Sequence, residues 1–179
     1  FWLDKGMDTG PVFLRREVRV LEGDDAASLF ARLVAAGAEL LDEGLARIAA
    51  GEIVREPQAG EASLAPKLTA ADALLDFSLP AAKVLGRVRG LACGPRARFC
   101  LAQPDGRKLA VQVLEAELRP GAGSGPAGSV LSVEAGAGFI VRCGDGGLLL
   151  KKLKPEGKRE MPAADFLNGL RLKPGDVLC

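Results

Sequence analysis

Lys108-Leu109-Ala110-Val111-Gln112-Val113-Leu114-Glu115-Ala116-Glu117-Leu118 alternates, with Leu109, Val111 and Val113 on one parity and Lys108, Ala110 and Gln112 on the other. A period of two is the signature of a strand with one buried face. Pro104-Asp105-Gly106, just before it, is a hairpin-turn signal and follows a candidate strand, Arg96–Leu101. A Gly/Pro/Ser segment from Arg119 to Gly128 reads as an exposed loop. Three further apolar runs follow, Ser129–Val133, Phe139–Cys143 and Gly147–Leu153, separated by Ala135-Gly136-Ala137-Gly138 and Gly144-Asp145-Gly146. Met161–Asn168 reads as a short helix, and Pro174-Gly175-Asp176 as a turn before Val177-Leu178. Some five short antiparallel strands with one small helix predict a barrel of the oligonucleotide-binding (OB) type over residues 95–179.

Upstream the period changes. Leu29, Phe30, Leu33, Val34, Leu40, Leu41, Leu45 and Ile48 recur near every 3.6 residues and predict an amphipathic helix over Ala26–Ala50 with one buried face. Gly23-Asp24-Asp25 supplies its start, with Asp as N-cap, and Gly51 closes its end. Pro11–Val20 reads as a strand before it. Burying that many apolar side chains takes more partner surface than that strand offers, so residues 1–62 read as the end of a truncated α/β domain. Glu52–Pro66 is aperiodic, with Pro57, Gly60 and Pro66, and reads as an extended linker. Thr69 with Asp72 predicts a short capped helix. Pro80–Arg89 predicts another, with Val84, Leu85 and Val88 on one face and proline at the start. The expected class is α+β, in three parts: 1–62, a linker with helices over 63–94, and 95–179.

Composition narrows the chemistry. Of 179 residues 48% are apolar and 26% charged, the profile of a globular chain. No apolar run reaches the roughly 18 residues of a membrane span, and no signal peptide is visible; a cytoplasmic protein is expected. Cys93, Cys100, Cys143 and Cys179 form no Cys-x-x-Cys pair and the chain has no histidine. A zinc finger, a Cys/His nucleophile and an internal imidazole base are therefore excluded, and no metal is expected. Residues 1–62 carry 7 Lys/Arg against 12 Asp/Glu, and residues 63–179 carry 17 against 11. A basic second half suits an anionic partner.

Gly6-Met7-Asp8-Thr9-Gly10 sets an aspartate between two glycines, which let a ligand approach the main chain. Alone, this is equally a surface turn. Together with Ala65-Pro66-Lys67-Leu68, Leu75-Asp76-Phe77, Gly144-Asp145-Gly146, Pro155-Glu156-Gly157-Lys158-Arg159-Glu160-Met161 and Leu172-Lys173-Pro174-Gly175-Asp176, in this order, it resembles the methionyl-tRNA formyltransferase family. The resemblance implies an α/β formyltransferase domain joined by a linker to a C-terminal OB-type barrel. It implies transfer of a formyl group from 10-formyltetrahydrofolate to the amino group of methionine on initiator tRNA, by a monomer. Asp8 matches the family's catalytic aspartate, and Asp4, Lys5, Gly6, Met7 and Asp8 match the loop against the pterin ring. The chain starts in mid-motif without an initiator Met. The family's Asn-x-His pair and Ser-Leu-Leu-Pro loop are not in it, so a fragment with little activity of its own is expected.

The family's Asn-Pro-Trp segment is replaced by Ala92-Cys93-Gly94, and Phe77 stands where Trp is usual. Two other readings stay open: a relative acting on a sugar amine or water, and a non-catalytic nucleic-acid-binding barrel. For tRNA, Lys67, Lys83, Arg87, Arg89, Lys151, Lys152, Lys154, Lys158 and Arg159 are the candidate phosphate contacts, with Lys151–Arg159 the densest cluster. Lysines on a strand edge also serve simply to block aggregation. Phe99 and Phe139 are expected in the core rather than as stacking platforms.

Overall fold

A computed structural model describes residues 1–103 and 106–178; Pro104 and Asp105 of the predicted turn, and Cys179, lie outside the described residues. The chain divides into two units, Phe1–Lys67 and Leu68–Cys179. Among the described residues no helix is long and apolar enough to cross a membrane.

In the first unit, α1 spans Ala26–Ala49. The Asp25 carboxylate accepts from the Ser28 backbone N–H at 2.8 Å, and the Ser28 hydroxyl accepts from the Asp25 N–H at 3.1 Å. This reciprocal capping box meets two otherwise orphaned donors. At the far end Gly51 takes φ +86°, and the N–H groups of Gly51 and Glu52 donate back to Ile48 and Arg47 carbonyls at 2.9 and 3.0 Å. That left-handed terminus suits glycine.

Two expectations fail in this unit. Pro11–Val20 is not a strand: only Val12 pairs, with Glu56. Beyond it the segment is an extended strap tied to α1 by charge, Arg16 to Glu39 and Glu43 at 2.7 and 3.1 Å, while Arg32 binds the Arg19 carbonyl at 2.8 Å. With no neighbouring strand there is no ladder to form. Nor is the apolar face of α1 buried. Phe30, Val34, Leu41 and Leu45 remain exposed, and Gly44 is the buried residue of the helix. The unit supplies only Phe1, Trp2, Phe13 and Leu14 against that face, leaving an open groove of about 300 Å³.

The second unit is one antiparallel sheet with two helices. Its strands are β1 (Arg98–Ala102), β2 (Lys108–Arg119), β3 (Val130–Glu134), β4 (Gly138–Arg142), β5 (Gly147–Pro155) and β6 (Met161–Pro162). Their order is β1-β2-β5-β4-β3, with β6 also paired to β5. The first five match the predicted runs within a few residues; β6 was not foreseen. The predicted Pro80 helix is α2 (Ala81–Gly90), and the last helix, α3 (Ala163–Leu170), starts two residues later than expected because Met161 and Pro162 pair with Leu153 and Lys152.

Thr69–Asp72 forms a turn rather than a helix, its backbone N–H and hydroxyl both donating to the Asp72 carboxylate at 2.7 Å. The chain then extends, and Ala73 and Leu75 bond to both backbone groups of Arg98 at 2.8 Å. The inner face buries Phe77, Val84, Val88, Phe99, Val111, Val113, Phe139, Leu148, Leu150, Leu153 and Phe166. Phe99 lies between Phe77 and Phe166, with ring centroids 6.3 and 6.4 Å apart. Fully burying each such side chain contributes roughly 1.5–3 kcal/mol.

The turn before β5 holds α2. Asp145 Oδ1 accepts from the first helical N–H, Ala81, at 2.8 Å, and a Cβ built on Gly144 would run into the Ser78 carbonyl oxygen. Asp145→Ala orphans that donor and costs about 1 kcal/mol. Gly144→Ala costs more, because backbone must move. Urea denaturation followed by circular dichroism checks both, and an Asp145→Ala midpoint equal to the parent's contradicts the cap.

Candidate functional site

The Gly6–Gly10 segment is a loop, exposed from Gly6 to Thr9 and buried at Gly10. Asp4 Oδ1 accepts from the Gly6 N–H at 2.9 Å and from the Thr9 hydroxyl at 2.6 Å, an Asx turn that fixes the local path. Trp2 donates its backbone N–H to Pro11 O at 2.9 Å, closing the ends of the loop, and its indole N–H to Val54 O at 2.7 Å. Gln58, which sequence reasoning missed, donates Nε2 to the carbonyls of Asp8 and Gly10, both at 2.8 Å. Asp8 sits at φ +55°, the sparsely used left-handed region that Asp tolerates better than most residues. Asp4, Lys5, Gly6, Met7 and Asp8 are all exposed. Among the described residues of this unit, none packs over the loop to bury Asp8.

The basic candidates separate into paired and unpaired groups. Lys151 lies 3.6 Å from Glu117, and Lys152 2.8 Å from Glu160. The Lys152–Glu160 hydrogen bond raises the lysine and lowers the carboxyl from its ordinary 4.5. Lys154 is exposed on β5, and Lys158 and Arg159 are exposed in the hairpin joining β5 to β6; none of the three has an ion pair among the described residues. Lys67 is exposed and Arg89 half-buried, both away from that cluster in sequence and neither joined to it by a described contact. Arg87 donates to the Asp72 and Leu74 carbonyls at 3.3 and 3.5 Å, so it helps hold the extended segment. Phe99 and Phe139 are fully buried, as expected of core residues.

Arg119, on β2, joins Glu117 and Glu134 at 2.7 and 2.9 Å. Those hydrogen bonds hold both carboxyls below 4.5 and push the guanidinium upward. Cys143 is buried, which pushes its thiol up to about 11 and makes it inert. No group of three His, Cys, Asp or Glu is placed to hold a metal among the described residues.

The formyl transferase C-terminal domain family matches residues 67–171, and the chain belongs to that family. Along its length it is similar to methionyl-tRNA formyltransferases, at 36% identity over 99% of the chain to that of Elusimicrobium minutum and 41% over 97% to that of Halorhodospira halophila. The chain spans 60% and 54% of those two proteins, a little over half their length. Among solved structures, HypX from Aquifex aeolicus in complex with tetrahydrofolic acid aligns at TM-score 0.67 and 18% identity, over 98% of this chain and 32% of that one. That likeness is one of fold.

Two outcomes follow. Glu117, Glu134 and Glu160 are lowered from 4.5 when folded, so their stabilisation is complete above about pH 4.5 and lost as pH falls through the lowered values. The melting temperature should be flat near neutrality and fall on acidification, less steeply in Arg119→Met; an unchanged acid limb in that variant contradicts the network's part. Gln58→Ala should speed amide exchange at residues 6–10 without changing overall stability, and unchanged exchange there would show that Gln58 does not hold the loop.

Proposed function

We propose that the chain is part of a monomeric cytoplasmic methionyl-tRNA formyltransferase, which moves the formyl group of 10-formyltetrahydrofolate to the amino group of methionyl initiator tRNA. The observation that carries this is the similarity to proteins of that name over 97–99% of the chain, with the motifs in order. Attack of a neutral amine on the formyl carbon builds an oxyanion and sheds a proton; collapse of the oxyanion breaks the bond from that carbon to N10 of the folate, which takes up a proton and leaves as tetrahydrofolate. A carboxylate beside an imidazole orients it for that transfer. Asp8, on its clamped turn, takes this supporting role.

The chain holds no histidine, so the imidazole has to come from outside these 179 residues, and alone they are expected to transfer nothing. The folate donor fits the Asp4–Asp8 loop: the segment is exposed while Asp4 spends its carboxylate on Gly6 and Thr9, leaving exposed peptide groups to face a pterin edge. In the whole enzyme the rest of the catalytic domain covers the apolar face of α1, completing an α/β domain. The curled sheet serves as an OB-type barrel, in which β2 pairs with β5 rather than β3. Its basic residues, with Lys67 and Arg89, meet tRNA phosphates.

In the whole enzyme Asp8→Asn should lower turnover about 10²–10⁴-fold, the usual scale for assisted proton transfer, with tRNA affinity unchanged. Lys158→Ala and Arg159→Ala should do the reverse, weakening tRNA binding and sparing the chemical step. Full turnover by Asp8→Asn in single-turnover kinetics would remove the aspartate from the mechanism.

A further inference from the structure

The outward face of the sheet carries a feature that the Lys151–Arg159 run does not contain. Across three adjacent strands, Arg98 of β1 registers with Gln112 of β2, and Gln112 with Lys154 of β5. All three face away from the core, since their neighbours Phe99, Val111, Val113 and Leu153 are buried on the other side. Two inter-strand spacings put the Arg98 and Lys154 backbones about 10 Å apart, with a two-ended amide between them. Ala110 and the Pro155–Gly157 turn line, with these three, a cavity of about 230 Å³. A water occupies about 30 Å³ of liquid, so the space takes a tetrahedral oxyanion and part of its hydration.

The groups in this row suit an anion. Arg98 donates one guanidinium nitrogen to Ala70 O at 2.8 Å, which fixes the side chain and leaves its other donors. Lys154 has no ion pair among the described residues, in contrast to Lys151 and Lys152 on the same strand. Gln112, which lines the same cavity, carries an amide N–H₂ donor. The carboxylate lining this cavity is that of Glu156, exposed at the rim. An arginine and a lysine lining one cavity with a neutral donor match the oxygens of a phosphodiester.

We propose that Arg98, Gln112 and Lys154 form a subsite that seats one backbone phosphate of the bound RNA. Such a contact sets the register of the nucleic acid on the sheet and reads no base. The proposal rests on the tRNA reading above, adds Arg98 and Gln112 to it, and assigns Lys154 to a shared rather than a separate contact.

The test is fluorescence anisotropy of labelled initiator tRNA with the full chain over a salt series. Each neutralised phosphate contributes about one to the slope of log affinity against log salt. Lys154→Gln should weaken binding several-fold, and Arg98→Gln with Lys154→Gln should flatten the slope by about one, the two losses being less than additive because one phosphate is shared. Glu156→Gln should tighten binding. Lys173→Gln, beyond the far edge at β3, should change neither affinity nor slope. Lys154→Gln leaves the Arg98–Ala70 contact intact, so it remains informative if Arg98→Gln fails to fold. Additive losses, or parental affinity in Lys154→Gln while Lys158→Ala and Arg159→Ala still weaken binding, overturn the subsite and leave the tRNA reading standing. Salt-independent binding by the parent chain overturns both.

Discussion

The central strand β5 governs the second unit. It pairs with β2, β4 and β6 at once, and Leu148, Leu149 and Leu150 are all fully buried. A one-residue slip would exchange its two faces, so its neighbours pin the register. The β2–β5 ladder shifts around Glu115, between Val113 and Ala116. At the start of β4, a Cβ on Gly138 would run into the Leu150 carbonyl. Beside β5, Asp145 ties the preceding turn to the first turn of α2. The same register lines up Arg98, Gln112 and Lys154 across three strands, so the outward basic row follows from core packing on the opposite face.

Strands were legible in two ways: Lys108–Leu118 alternates because one face of β2 is buried, whereas the later runs at Phe139 and Leu148 are buried on both faces and read as short apolar stretches between glycine-rich turns. Helices α1 and α2 were legible from their period and their ends, Asp25, Gly51 and Pro80. What failed were elements whose fate depends on a partner. Pro11–Val20 has strand composition, but with no adjacent strand Arg16 binds Glu39 and Glu43 of α1 and Arg15 pairs with Glu56 instead. Thr69 and Asp72 make the side-chain bonds of a cap, yet only a turn follows. There burial alternates, with Ala73, Leu75 and Phe77 buried and Leu74 and Asp76 exposed, but Leu74 is as apolar as Leu75, so the sequence itself carries no clean period of two.

The candidate sites were partly legible. Spacing and order singled out Gly6–Gly10, but not Gln58, whose bonds to Asp8 and Gly10 span about fifty positions. The lysine run on β5 and its hairpin was visible as charge. Its division was not, because Glu117 and Glu160 approach Lys151 and Lys152 only through strand pairing. Charge density in sequence therefore overstates the cations free to meet a phosphate, and it hides Arg98, which stands some fifty residues from that run.

Family membership and the similarity over nearly the whole chain support formyl transfer, whereas the HypX likeness at 18% identity concerns the fold. The acceptor is the point on which the readings diverge. The most direct measurement gives the whole enzyme radiolabelled 10-formyltetrahydrofolate together with methionyl initiator tRNA, a free amino sugar and water, and follows the label. The account predicts formyl-methionyl-tRNA as the labelled product. Formate or a formylated sugar, with the tRNA unlabelled, would contradict it.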